Sequence, residues 1–158
     1  MSLVSKVILA ATAAAITAGG AWAAGHENTV VQNAIKARKA QMTLYAANLG
    51  ILGAMAKGEV AYDAEAAATA ARDLDALNSL NAGSYFVPGS DNMSADNTRT
   101  LPKLWDNFPD VMEKAKANSD AIDALNAAAG TDLAALQAAI GPVGKACTAC
   151  HEAYRAPE

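Results

Sequence analysis

Charge is sparse in this sequence, aromatic rings are sparser, and cysteine and histidine are almost missing. Of 158 residues, 18% are charged and 5% aromatic, with two cysteines and two histidines. Five prolines and 11 glycines are too few for a fibrous or low-complexity chain. Few aromatics beside abundant alanine favour helices, since alanine has the highest helix propensity and lets helices approach closely. One domain is expected at this length.

The first two dozen residues lack acids altogether. Lys6 is the one charged side chain before His26 and Glu27, and between them run Val7-Ile8-Leu9-Ala10-Ala11-Thr12-Ala13-Ala14-Ala15-Ile16, Gly19-Gly20 and Ala21-Trp22-Ala23. A basic start, an apolar stretch and a small-x-small site read as a secretory signal peptide over residues 1–23, cleaved after Ala23. The apolar run is shorter than the ~20 residues of a spanning helix, so no permanent membrane anchor is expected. Export places residues 24–158 in the periplasm. Without Lys6 the balance is 11 basic against 16 acidic side chains, from the 12 and 16 of the full chain. That negative balance argues against nucleic acid or an anionic membrane surface as partner.

Both cysteines fall in Cys147-Thr148-Ala149-Cys150-His151. The C-x-x-C-H pattern is the attachment signature of c-type haem. Positions i, i+3 and i+4 share a helix face, so two thiols can bond to the two vinyl groups of one haem edge. The following histidine then reaches the iron as an axial ligand. A thioredoxin-like pair would need a strand before it, a structural zinc site would need four ligands, and a plain disulfide needs no adjoining histidine. One covalent haem c is therefore expected, on Cys147 and Cys150 with His151 on the metal.

Four long segments carry helical periodicity. The first, about Asn28 to Lys57, has the inward stripe Val31, Ile35, Arg38, Met42, Tyr45, Leu49, Leu52, Ala56 and ends at Gly58. Its alternating spacing of four and three is that of a bundle seam. Asp63 caps a second segment to about Leu80, facing inward with Ala67, Ala70, Leu74 and Leu77. A polar loop of nearly twenty residues follows, long enough to suggest cover for a cofactor edge. Pro102 and Pro109 punctuate the start of the third helix, whose stripe is Val111, Ala115, Ile122, Leu125. Thr131 is the expected cap of the fourth, with Leu133, Leu136, Ile140, Val143, Cys147, Cys150 and Tyr154 on one face and Pro142 inside it. The fold expected is all-α, an up-and-down four-helix bundle with haem c near its C-terminal end.

Residues 27–158 resemble the cytochrome c′ family, class II c-type cytochromes that include low-spin relatives. The matching stretches are Lys36-Ala37-Arg38-Lys39-Ala40-Gln41-Met42, Lys57-Gly58 through Tyr62-Asp63-Ala64, Leu104-Trp105, and Gly141 to Arg155 around the cysteines. Cytochrome c′ is itself a standard example of the up-and-down four-helix bundle, so the resemblance and the expected fold are one inference rather than two. The resemblance implies that Arg38 lies near the haem propionates, Arg155 near the proximal histidine, and Met42 on the distal side of the iron. Lys39, where many members have glutamine, and Gly83-Ser84-Tyr85-Phe86, where tryptophan-proline is usual, depart from the pattern. Read on their own, Arg38 is an inward cation that needs a partner or snorkels to the bundle end. Arg155 equally suits a helix C-terminus as a cation on the dipole, and Tyr45, Met55 and Met112 read as core filling.

The function implied is one-electron transfer and/or binding of NO or CO at a five-coordinate iron. The alternative is a low-spin electron carrier with His151/Met42 ligation, which would raise the reduction potential. No second distal histidine, acid or base is arranged for catalysis, so an enzyme is not expected. Redox partner proteins are implied. A homodimer through the first two helices is expected too, with Ala34, Ala37, Ala40 and Ala47 as the outer surface of the first.

Overall fold

The computed structural model describes residues 3–157, with side chains from residue 29 onward. The side chains of the leader expected at 1–23 lie outside that range. In chain order the elements are α1 (Leu3–Ala56), α2 (Ala64–Asn78), a 3-10 turn (Ala82–Tyr85), α3 (Lys103–Asp106), α4 (Phe108–Ala128) and α5 (Leu133–Tyr154). Among the described residues there is no strand, only one isolated antiparallel bridge between Thr100 and Arg155. The four long helices form the expected bundle. α1 starts earlier than Asn28 because the alanine-rich stretch before it favours helix as strongly.

The caps follow from sequence chemistry, with one correction. α1 ends at Gly58, whose φ of 75° suits a residue without Cβ. Gly58 N–H donates to Met55 O and Glu59 N–H to Ala54 O, the two bonds of a Schellman closure. Asp63 caps α2 by accepting from Ala66 N at 2.9 Å. At α5 the cap is Asp132, which accepts from Ala135 N at 2.8 Å, not Thr131; a carboxylate one residue later reaches the free N–H in extended backbone. The third helix is also split. Asn107 leaves helical geometry, so Leu104-Trp105 forms a separate turn and Pro109 lies in the first turn of α4, where its missing N–H costs nothing.

The apolar core fills one end of the bundle. Leu52 and Met55 of α1, Ala67, Ala70, Ala71 and Leu74 of α2, Ile122 and Leu125 of α4, and Leu136 and Val143 of α5 form one buried cluster, joined by Ala129. Each fully buried leucine contributes about 1.5–3 kcal/mol. Both short connections close this end. Tyr62 Oη donates to Ala129 O at 2.9 Å, and Gln137 Nε2 to Ala56 O at 2.7 Å. Gly130 admits α2, for a Cβ there would stand 2.8 Å from Ala68 Cβ. By length and hydropathy α5 could cross a membrane; its Leu136 and Val143 are buried in this core. Ala34, expected on the outer face of α1, is 7% exposed and faces inward.

Candidate functional site

Away from the apolar core the inward stripes of α1, α4 and α5 become less buried beside the cysteines; α1 is buried again at Arg38 and Ile35, and α5 at Tyr154. On α1 the stripe passes from buried Leu52 through half-buried Leu49 and Tyr45 to Met42, 40% exposed. On α4 it passes from buried Leu125 and Ile122 to half-buried Asn118 and exposed Ala115, with Met112 nearby at 54%. On α5 buried Val143 gives way to half-buried Cys147, Cys150 and His151, and α2 stops at Asn78. The apolar pattern thus continues beyond the protein's own packing.

Cys147 and Cys150 are free thiols. Burial pushes both thiols up, so they are protonated. Tyr45 lies close enough for Cys147 to act on its hydroxyl, which burial first and Cys147 second push up to about 12. Cys147 Sγ donates weakly to Asn118 Oδ1 at 3.5 Å. His151 is held below its ordinary value, by burial first and then by Arg155 and Arg99. Its imidazole is therefore neutral, the form that binds a metal. Among the described residues no three His, Cys, Asp or Glu side chains gather to hold a metal ion unaided, which leaves the zinc reading without ligands.

Arg38 is 6% exposed and shapes the long loop. Its Nη1 donates to Tyr85 O at 2.8 Å and Ser90 Oγ at 3.0 Å. Nη2 donates to Ser90 O and Thr98 Oγ1, each at 2.9 Å. The guanidinium carbon stands 5.0 Å from the centroid of Phe86, a cation–π distance. All these partners are neutral, and burial lowers the Arg38 pKa. A buried cation lacking a counter-charge favours an anionic neighbour. Both departures from the family pattern serve this loop: Phe86 stacks on Arg38, and Lys39 Nζ donates to Asn97 O at 3.4 Å.

The loop's far end grips the turn that carries His151. Leu101 N–H donates to Tyr154 O and Ala156 N–H to Arg99 O, while Arg99 Nε donates to Ala156 O at 2.9 Å. From the other side, Tyr154 Oη donates to Asp110 Oδ2 at 2.5 Å, and Lys114 Nζ to Asp110 Oδ1 at 2.9 Å. Arg155 is exposed. Sequence reasoning passed over Arg99, Asp110 and Lys114. The i, i+4 spacing of Asp110 and Lys114 was readable, whereas nothing local marks Arg99.

Thus two thiols, a neutral imidazole and an exposed thioether share an apolar end with a buried cation. This donor set fits haem c: thiols for the vinyl groups, His151 for the iron, and apolar stripes for the ring.

A family model for cytochrome C′ matches residues 33–155. The chain belongs to the cytochrome c′ family. It is 43% identical over 125 residues to cytochrome c-554 of Cereibacter sphaeroides, covering 79% of this chain and 82% of that one. Cytochrome c′ from Thermochromatium tepidum superimposes with a TM-score of 0.74 at 36% identity, covering 80% of this chain and 97% of that one. A ferrous variant of cytochrome c prime from Alcaligenes xylosoxidans with bound NO gives a TM-score of 0.72 at 32% identity, covering 81% and 97%. Cytochrome c′ membership implies a haem c cofactor, and it agrees with the bundle already described.

Proposed function

We propose that the chain is an exported, periplasmic c-type cytochrome, cut after Ala23, that holds one haem c covalently and serves one-electron transfer and/or binding of NO or CO. The observation that carries this reading is the shared local dip in burial on α1, α4 and α5 around Cys147, Cys150 and His151. When bound, haem c supplies the iron that exchanges an electron or takes up a diatomic gas. Cys147 and Cys150 fix the ring to α5, and His151 holds the metal from the proximal side. Burial first, and then Arg155 and Arg99, favour the neutral form of that imidazole. Arg38 and Arg155 offer positive charge to propionates, and the loop on Arg38 shields an edge from water. Relatives solved with NO and with CO support the gas-binding reading.

Met42 governs the distal side. In the first reading its side chain covers a five-coordinate iron and swings aside for a gas. Its exposure favours a second reading as well: the thioether is free of core packing, so it can turn to the iron as a sixth ligand and make the protein a dedicated carrier. The reduced spectrum with and without CO separates them. A high-spin spectrum that shifts with CO supports the open iron, and a sharp low-spin spectrum indifferent to CO overturns it. Met42→Ala changes the spin state only in the carrier.

Redox proteins are the proposed partners, and catalysis is not part of this reading. A homodimer is supported by a second apolar stripe on α1, where Val30, Ala37, Ala40, Leu44, Ala47 and Ile51 repeat at spacings of three, four or seven. Val30, Leu44 and Ile51 of this stripe are exposed.

A further inference from the structure

α4 carries two ion pairs at i, i+4 spacing, and their surroundings differ. Lys116 Nζ meets Asp120 Oδ2 at 2.7 Å, with both side chains exposed. Lys114 Nζ meets Asp110 Oδ1 at 2.9 Å, with both half-buried. A helix of 3.6 residues per turn sets the two pairs on different faces.

The half-buried pair is drawn onto α5. Tyr154, itself buried, donates from its hydroxyl to Asp110 Oδ2 at 2.5 Å. Tyr154 stands at i+4 from Cys150, on the same face of that helix. Both charges therefore bear on the Cys150 thiol. Burial raises its pKa first, Lys114 then draws it down, and Cys147 and Asp110 push it up again. Lys114 acts more strongly than Asp110, so the pair turns its positive end toward Cys150. Arg155 and Arg99 act on the neighbouring His151. Asp110 is thus the carboxylate set against the cations of this turn.

An added electron makes a haem more negative by one charge. A nearby cation stabilises that charge and a nearby carboxylate opposes it. Half-burial limits the screening of both by salt. We propose that the Asp110–Lys114 pair tunes the reduction potential of the haem on Cys150 and His151, with Lys114 favouring the reduced form and Asp110 opposing it. This tuning rests on the reading that these residues carry haem c, and it belongs to the charges of the pair rather than to its hydrogen bonds.

Spectroelectrochemical titration of the holoprotein tests the pair. Asp110→Asn leaves Lys114 uncompensated and raises the reduced-to-oxidised ratio at a fixed potential about fivefold, or about 40 mV for one electron. Lys114→Gln leaves the carboxylate and lowers the ratio by a similar factor. Tyr154→Phe removes a hydrogen bond but neither charge, so the potential stays in place. Lys116→Gln and Asp120→Asn, on the exposed pair, leave it in place as well. Shifts of one sign in Asp110→Asn and Lys114→Gln overturn the proposal, because loosened structure would then be the cause. An equal shift in Tyr154→Phe overturns it for the same reason, and equal shifts at Lys116 and Asp120 overturn it by reporting net charge alone. The reduced bands keep the parent's wavelengths in every variant. Bands that move assign the pair to the placement of His151 and overturn the tuning. Where Asp110→Asn does not fold, Lys114→Gln against Lys116→Gln still reads the sign and the size. Haem staining on a denaturing gel separates the two failures. An unstained parent defeats the haem reading and the tuning together, whereas a stained parent whose potential ignores both charges defeats the tuning alone.

Discussion

The two ends of this bundle are held by different forces. At the end closed by the short turns, Leu52, Leu74, Leu125 and Leu136 are fully buried, and apolar contact does the work. At the other end the stripes run on but Met42 and Met112 stay exposed. Ile35, Leu104 and Tyr154 are buried there, and hydrogen bonds supply the rest of the order: Arg38 gathers Tyr85, Ser90 and Thr98, and the loop's end pairs with the chain beyond His151. The difference shows how a small bundle keeps a site for a large apolar group. The closed end supplies stability, and a polar frame fixes the open end's shape without filling it.

Deleting methylenes at the closed end is expected to have the largest effect. Leu125→Ala lowers the unfolding free energy by about 2–5 kcal/mol, measured by urea titration, and leaves the reduced spectrum's band positions in place. A spectral shift as large as that of an open-end variant would break the comparison.

Next comes the frame itself. Arg38→Leu strands Tyr85 O and takes one donor each from Ser90 O, Ser90 Oγ and Thr98 Oγ1, which keep their other partners, a loss of about 1–3 kcal/mol. Limited proteolysis then cuts within residues 85–98. Arg38→Lys restores part of the loss, since an ammonium lacks the planar fork that spans four acceptors. A loop that resists protease in Arg38→Leu would show that apolar packing holds this end too.

The caps sharpen the closed end on a finer scale. Asp132→Ala costs about 1 kcal/mol, and Thr131→Ala leaves urea stability almost unchanged. Equal losses would return the cap to Thr131.

That one-residue slip marks where sequence stops being informative. Four helices, the Gly58 stop and the Asp63 cap were readable because they rest on periodicity and local chemistry. So was the face shared by Cys147, Cys150 and His151, which needs only helix geometry. Thr131 and Asp132 are both good caps, and only the extended backbone at Asp132 decides between them. Ala34 was misplaced because a small residue marks neither face of a helix. The partners of Arg38 lie 47 to 60 residues away in sequence, in a loop without periodicity, and the grip of Arg99 on Ala156 spans 57. Such pairings depend on where a bundle brings its ends, which no local pattern encodes.

The smallest expected effect concerns the clamp on the His151 turn, whose contribution is lost toward either extreme of pH. The Asp110 carboxyl is held below its ordinary 3.8, by the Tyr154 hydroxyl first and Lys114 next. A lowered acid contributes stability above its unfolded value and loses it as pH falls through the folded one. The Tyr154 hydroxyl is raised above its ordinary 10.0, chiefly by its bond to Asp110. That contribution is whole below 10.0 and lost as pH rises beyond it. Asp110→Asn removes the carboxylate behind both, so the variant is less stable than the parent between these values, and its profile flattens below 3.8 and above 10.0, where the parent loses the contribution too. Urea midpoints across that range read the difference. Superimposable profiles would mean that the Thr100–Arg155 pairing alone holds the proximal turn, and that the open end is framed from one side instead of two.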